Sequence, residues 1–134
     1  MINPQDELFE FCRLNRIAVL ARVPFDEGSL TGNINENTTF PKDDWRNYYF
    51  RGERKKEVSI RVEKILEDVN SEAENIAEAA LRYTVSFDAV TSVIPGMRSE
   101  KNLLANINSV ERGPLSVEMI EKLKVHRWER NFYK

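Results

Sequence analysis

The residues whose types and spacing could do chemistry lie between Val90 and Asn106. Val90, Val93 and Ile94 form a β-branched run, and Pro95-Gly96 stops it. Ser99 then stands where a helix N-cap belongs, with Leu103, Leu104, Ile107 and Val110 following at helical spacing. A buried strand that feeds a helix through a glycine turn leaves free amides and the positive dipole end facing the turn. Arg98 and Lys101 add charge, so phosphate is the ligand this chemistry suits. The bland alternative is an ordinary strand-to-helix junction. The other reactive side chains carry less. Cys12 is the single cysteine, so it forms no internal disulfide or zinc cluster, and beside Leu8 it reads as a buried structural thiol. His126 sits among aromatics in the tail, where packing or solvation is the expected role.

The elements that position this stretch follow from periodicity. Asn3 and Pro4 read as an N-cap and first-turn proline of a helix whose face is Leu8, Phe11 and Cys12, ending near Asn15. Ile17 to Ala21 is a short apolar run, read as a buried strand that Pro24 closes. From Phe25 to Lys56 neither period holds, and a loop this long is functional or disordered. Its aromatics Phe40, Trp45, Tyr48, Tyr49 and Phe50 favour hydrophobic anchoring over disorder. Stacking of bases on Trp45, Tyr48 and Tyr49 is the lesser alternative. Val58, Val62, Ile65, Leu66 and Val69 mark a helix. Ser71 with Glu74 reads as a capping box opening another through Ile76, Ala77, Ala80 and Leu81. Gly113-Pro114 breaks the chain, and Ser116 caps a last helix with Met119, Ile120 and Leu123. Strand, loop, helices, strand, helix implies an α/β unit with two parallel strands and a right-handed crossover.

Composition sets the outer bounds. The 134 residues carry a formal charge of −2, which gives no electrostatic footprint for nucleic acid. No apolar run approaches the roughly 20 residues a bilayer span needs. The first residues lack the basic and apolar regions of a signal peptide, and the cytoplasm is the expected compartment.

Val93-Ile94-Pro95-Gly96-Met97-Arg98 with Asn106 on the following helix resembles the last barrel strand and helix of aldo-keto reductases. Pro24, Gly28, Leu30, Thr31 and Gly32 are similar to that family's pyrophosphate-wrapping loop. Phe40-Pro41, Asp44 and Arg46 resemble its continuation, Ala79, Leu81, Arg82 and Tyr83 the helix before the last strand, and Leu115-Ser116 the opening of the final helix. The resemblance spans residues 1–134 as a single C-terminal partial-barrel segment, with 25–56 as a long coenzyme-side loop. It implies the last two parallel strands of a (β/α)8 TIM barrel in predominantly helical surroundings. It also implies an NADP coenzyme at Arg22, Pro24, Gly28, Leu30, Gly32, Gly96, Met97, Arg98, Ser99, Asn102 and Asn106.

The sequence departs from the family pattern at Arg22, where an aromatic that stacks on nicotinamide is frequent. It departs again at Asn102 and Ala105, where Gln and Glu contact adenine. The resemblance places the catalytic Asp, Tyr, Lys and His on earlier strands. The expected function is therefore the coenzyme-binding portion of a carbonyl-reducing oxidoreductase, inactive alone and with weakened NADP binding. A non-catalytic interaction module on the same scaffold is the alternative. The open strand edges imply a homo-oligomer or a complementary chain that completes the barrel, with no membrane or nucleic-acid partner.

Overall fold

A computed structural model describes residues 7–128 and Phe132. The N-cap expected at Asn3, with Pro4 and Asp6, lies outside the described residues, as does most of the tail beyond Trp128. Helix α1 (Leu8–Leu14) ends at Asn15 as its sequence implies. Arg16 takes a left-handed φ of 56°, and the Ile17 amide reaches back to the Cys12 carbonyl at 2.9 Å. This is a Schellman-type cap built without glycine. It occupies Ile17, so strand β1 (Val19–Arg22) starts two residues later than the apolar run and ends one residue later.

Strand β2 (Val90–Ile94) has the expected bounds and pairs with β1 in parallel. Val19 faces Val90, Leu20 faces Ser92, Ala21 faces Val93 and Arg22 faces Ile94. Thr91 is the extra residue of a bulge, and its hydroxyl accepts the Val19 amide at 3.1 Å. The bulge keeps Val19, Ala21, Val90 and Val93 on one half-buried face, against which helix α4 (Ile76–Val85) packs. The opposite face carries Leu20, Ser92, Arg22 and Ile94 and is open. Leu20 is 59% and Ile94 51% exposed, so neither strand is buried as its composition suggested.

The long crossover holds helix α2 (Arg46–Tyr49) and helix α3 (Arg54–Val69) before α4. The anchoring reading of the aromatics holds for Tyr49 and Phe50, which are buried with Ile34, Val58, Val62, Ile76 and Phe132 in one core cluster. Phe40 stacks on Phe50 with ring centres 5.7 Å apart, while Trp45 and Tyr48 stay exposed. Residues 25–56 are therefore a folded insertion with its own core contacts. A second cluster joins Val69, Ala73 and Ala79 to Leu115 and Met119.

The Ser71–Glu74 capping box is not formed. Asn75 caps α4 instead, its side chain accepting the Glu78 amide at 2.9 Å. A second bond comes from Glu78, whose carboxylate accepts the amide of Glu74, the residue before the cap, at 3.2 Å. The cap lies four residues later than expected, an Asn-Glu pair in place of the Ser-Glu pair, because the helix begins at Ile76; Glu72 in the preceding stretch accepts from Ser116 at the head of helix α6 (Val117–Leu123).

Helix α5 (Glu100–Glu111) is capped by Ser99 as expected. Its apolar stripe is not buried. Leu103, Leu104, Ile107 and Val110 are all exposed, and no residue of the helix is buried, although one side leans on α4. An amphipathic helix has a stripe to cover, and the described residues supply nothing to cover most of this one.

Candidate coenzyme-phosphate site

Parallel pairing brings the carboxyl ends of both strands to one edge. Arg22 ends β1 opposite Ile94, which directly precedes Pro95 and Gly96. Ligands of parallel α/β folds bind beyond such ends. Arg22 belongs to the open face, and neither it nor Arg98 makes an ion pair among the described residues.

Gly96, Met97, Arg98 and Ser99 form an exposed turn into α5. The first helical hydrogen bond runs from the Leu103 amide to the Ser99 carbonyl at 3.0 Å, and Ser99 Oγ accepts the Asn102 amide at 3.2 Å. The amides of Glu100 and Lys101 precede these bonds, as the first helical amides do. Arg98 directly precedes this helix start, and Glu100 is the acidic residue of its first turn. Asn102 is exposed on the first turn of α5. Asn106 is half-buried, and its amide nitrogen donates to the Gly96 carbonyl at 3.1 Å. Asn106 thus straps the turn onto the helix, which holds the Gly96–Ser99 backbone in one shape.

The loop residues Gly28, Leu30 and Gly32 are placed differently. They belong to a kinked 3₁₀ segment (Asp26–Thr31) and its left-handed cap, seated on α3 and α4. Leu30 is half-buried and packs its side chain against the core cluster. Gly32 has φ 76°, and a Cβ there would lie 3.3 Å from Ile76 Cγ2. Both its conformation and its neighbour demand glycine. Pro24 follows Val23, whose φ of 56° is strained for a β-branched residue; Asp26 and Glu27 are also left-handed. Such clusters of strained backbone occur at ligand clamps.

The insertion also sends charge to this edge, which the sequence did not signal beyond the Asp44-Arg46 spacing. Arg46 grips Asp44 with Nη2 to Oδ2 at 2.6 Å and Nε to Oδ1 at 3.0 Å. The Arg46 backbone amide adds a bond at 2.9 Å. These bonds, side chain first, draw the Asp44 carboxyl down to about 2, and Arg98 lies near enough to contribute. A carboxyl lowered on folding stabilises the fold above its unfolded value of about 4, and that contribution is lost as pH falls toward 2. The carboxyl carbon of Asp44 is expected to titrate at about 2 by NMR, and to move up toward its ordinary value in Arg46→Gln, which removes the side-chain bonds but keeps the backbone one. An unchanged midpoint in the variant would remove Arg46 as the cause.

Among the described residues no group of three His, Cys, Asp or Glu side chains could hold a metal ion. Cys12 is buried. His126 donates from Nε2 to Asp68 at 2.7 Å, a packing role on α3.

A family model described as "Aldo/keto reductase family" matches residues 1–127. No curated protein matches. Among solved structures, a glycerol dehydrogenase from Gluconobacter oxydans is similar with a TM-score of 0.76 at 18% identity. That likeness covers 92% of this chain and 38% of the dehydrogenase chain, so this chain spans less than two fifths of that barrel protein's length. The two parallel strands with their helices are therefore part of such a barrel, and the chain belongs to the aldo/keto reductase family.

Proposed function

We propose that this chain forms the coenzyme-phosphate side of an NADP-dependent oxidoreductase that reduces carbonyl compounds. One observation carries the reading. The carboxyl ends of β1 and β2 lead to an exposed turn, Gly96–Ser99, where two cations without ion pairs among the described residues, Arg22 and Arg98, accompany the free amides of a helix start. This edge fits a phosphorylated dinucleotide. The amides and Arg98 suit a phosphate, and the Asn106 strap fixes the turn before any ligand arrives. The guanidinium of Arg22 is planar and can stack on a ring as an aromatic would. A bound coenzyme would supply the hydride. The residues here would bind and orient it. The long insertion and the strained Val23–Gly28 backbone would border the pyrophosphate. By family resemblance the proton donor stands on strands this chain does not supply.

Titration of the 134-residue chain with NADPH and NADH, followed by calorimetry, tests this. The expected NADPH affinity is micromolar or weaker, because the loops of the other strands do not enclose the coenzyme. Arg98→Ala should weaken NADPH by roughly tenfold, the usual worth of one charged hydrogen bond, and change NADH less. A sub-micromolar constant that Arg98→Ala leaves alone would overturn both the site and the weakness. Absence of binding to either coenzyme would favour the second reading, an interaction module. The exposed Leu20 and Ile94 on the open face of β1 and β2 also support that reading.

The purified chain alone is expected to reduce no member of a broad carbonyl panel with NADPH. Turnover by material free of host reductases would show that this chain holds its own proton donor. No described helix is long and apolar enough to cross a membrane, and the cytoplasm remains part of the proposal.

A further inference from the structure

Backbone strain is concentrated between the end of β1 and the 3₁₀ segment Asp26–Thr31. Val23, Asp26 and Glu27 take left-handed φ angles of 56°, 47° and 58°, and Gly28 follows at 105°. Asp accepts this region readily, but a β-branched residue does not. Val23 also precedes Pro24, which restricts it further. Such a run persists only where surrounding contacts over-determine it. Local bonds supply part of this. The Asp26 amide donates to the Val23 carbonyl at 2.9 Å, and the Gly28 and Leu30 amides share the Phe25 carbonyl at 3.0 Å each. A longer tie comes from 23 residues away, where the Tyr49 hydroxyl donates to Asp26 Oδ1 at 2.7 Å.

Tyr49 is built into the insertion so that this hydroxyl cannot wander. The residue is 2% exposed, and its ring meets Trp45, Phe50 and Phe132 with centres 5.2, 4.9 and 5.3 Å away. The Arg54 guanidinium donates to the Tyr49 carbonyl at 3.0 Å. A ring packed this closely has little rotamer freedom, and its hydroxyl becomes a fixed point. We propose that Tyr49 is a positioning residue for the coenzyme edge. Its hydroxyl latches Asp26, and the latch holds the strained Val23–Gly28 backbone in the shape that borders the pyrophosphate. The coenzyme half of this statement rests on the reading above; the latch itself does not.

Hydrogen–deuterium exchange of the full chain, read by NMR without coenzyme, tests the latch. Tyr49→Phe keeps the ring and loses the hydroxyl. It should speed exchange of the Gly28 and Leu30 amides by roughly tenfold, the worth of one hydrogen bond to a charged group, and leave the amides of α4 at their rates. Asp26→Ala should match it, and the two together should add nothing further, because they remove the same bond. Asp26→Asn keeps an accepting oxygen and tolerates left-handed backbone, so its exchange should stay slow. Val23→Gly should raise the urea midpoint, since relief of a strained β-branched residue outweighs the added chain entropy of glycine. Added to Tyr49→Phe, it should slow the excess exchange, a rescue that a bond serving only global stability would not show. NADPH should bind the Tyr49→Phe chain more weakly than the unsubstituted chain. Unchanged Gly28 and Leu30 rates in Tyr49→Phe, faster exchange spread over the whole chain, or a lower urea midpoint for Val23→Gly would each overturn the latch. Equal NADPH binding by the Tyr49→Phe chain would overturn its role at the coenzyme edge. Absence of NADPH binding by the unsubstituted chain would overturn the coenzyme reading instead, with the exchange rates still deciding the latch.

Discussion

Replacing Arg82 by methionine should remove about 3–5 kcal/mol of stability, enough to unfold much of a domain of this size at ambient temperature. The guanidinium is buried on α4 and holds four partners at once. Nε donates to the Gly113 carbonyl at 2.8 Å, Nη2 to the Pro114 carbonyl at 3.2 Å and Nη1 to the Glu78 carboxylate at 2.9 Å. Nη1 also meets the Glu72 carbonyl. It thereby joins α4 to the chain before it and to the α5–α6 connection. Methionine fills the volume but takes the short buried partner from the Glu78 carboxylate, which is 4% exposed and is left with the longer Arg112 Nε and Nη1 contacts at 3.3 Å and the Glu74 amide at 3.2 Å. Lysine should rescue little, since one ammonium cannot reach acceptors laid out for a planar fork. Adding Glu78→Leu to Arg82→Met should recover part of the loss, because the buried charge that lost its short partner is then gone. Urea unfolding followed by circular dichroism is the measurement. A loss below 1 kcal/mol for Arg82→Met would mean that the network is ornamental.

The second large effect concerns association. Leu20 and Ile94 lie exposed on a sheet face they share with Ser92 and Arg22, both outer strand edges lack a partner among the described residues, and the stripe of α5 is open. Unpaired edges and apolar patches of this kind invite partners. The chain alone is expected to sediment as a dimer or larger species at micromolar concentration, with a twofold dimer the simplest arrangement. Leu20→Lys with Ile94→Lys should return it to a monomer without unfolding, since both side chains are already half in water. Co-expression with a segment bearing six further strand–helix units should replace self-association by a one-to-one complex, because those units would pair both edges. A stable monomer of the unsubstituted chain would show that the face is closed by other means.

The sequence by itself determined the elements whose causes are local. Ser99 and Ser116 cap helices because a hydroxyl one residue ahead of a helical run needs only the next turn. The spacing of Val58, Val62 and Val69 gave α3 its buried side for the same local reason. The family was legible in the Val93–Arg98 and Gly28–Gly32 motifs, and the match over residues 1–127 agrees. Tertiary structure decided what depends on distant partners. Asn75 caps α4 in place of Ser71 because the helix starts only at Ile76, while Glu72 before it reaches Ser116 across 44 residues. Buried placement of Ile76, Ala80 and Leu81 was legible from periodicity, but the role of Arg82 was not, since three of its four partners are backbone carbonyls. The candidate site shows the same division. Arg98 and Ser99 could be named from their own turn, whereas the Asp44–Arg46 pair reaches that edge only because the insertion folds on its own aromatic core. Arg22 and Gly96, 74 positions apart in the chain, meet only because a parallel register sets Arg22 beside Ile94. A strand carries its composition in its sequence, but its register belongs to the pair.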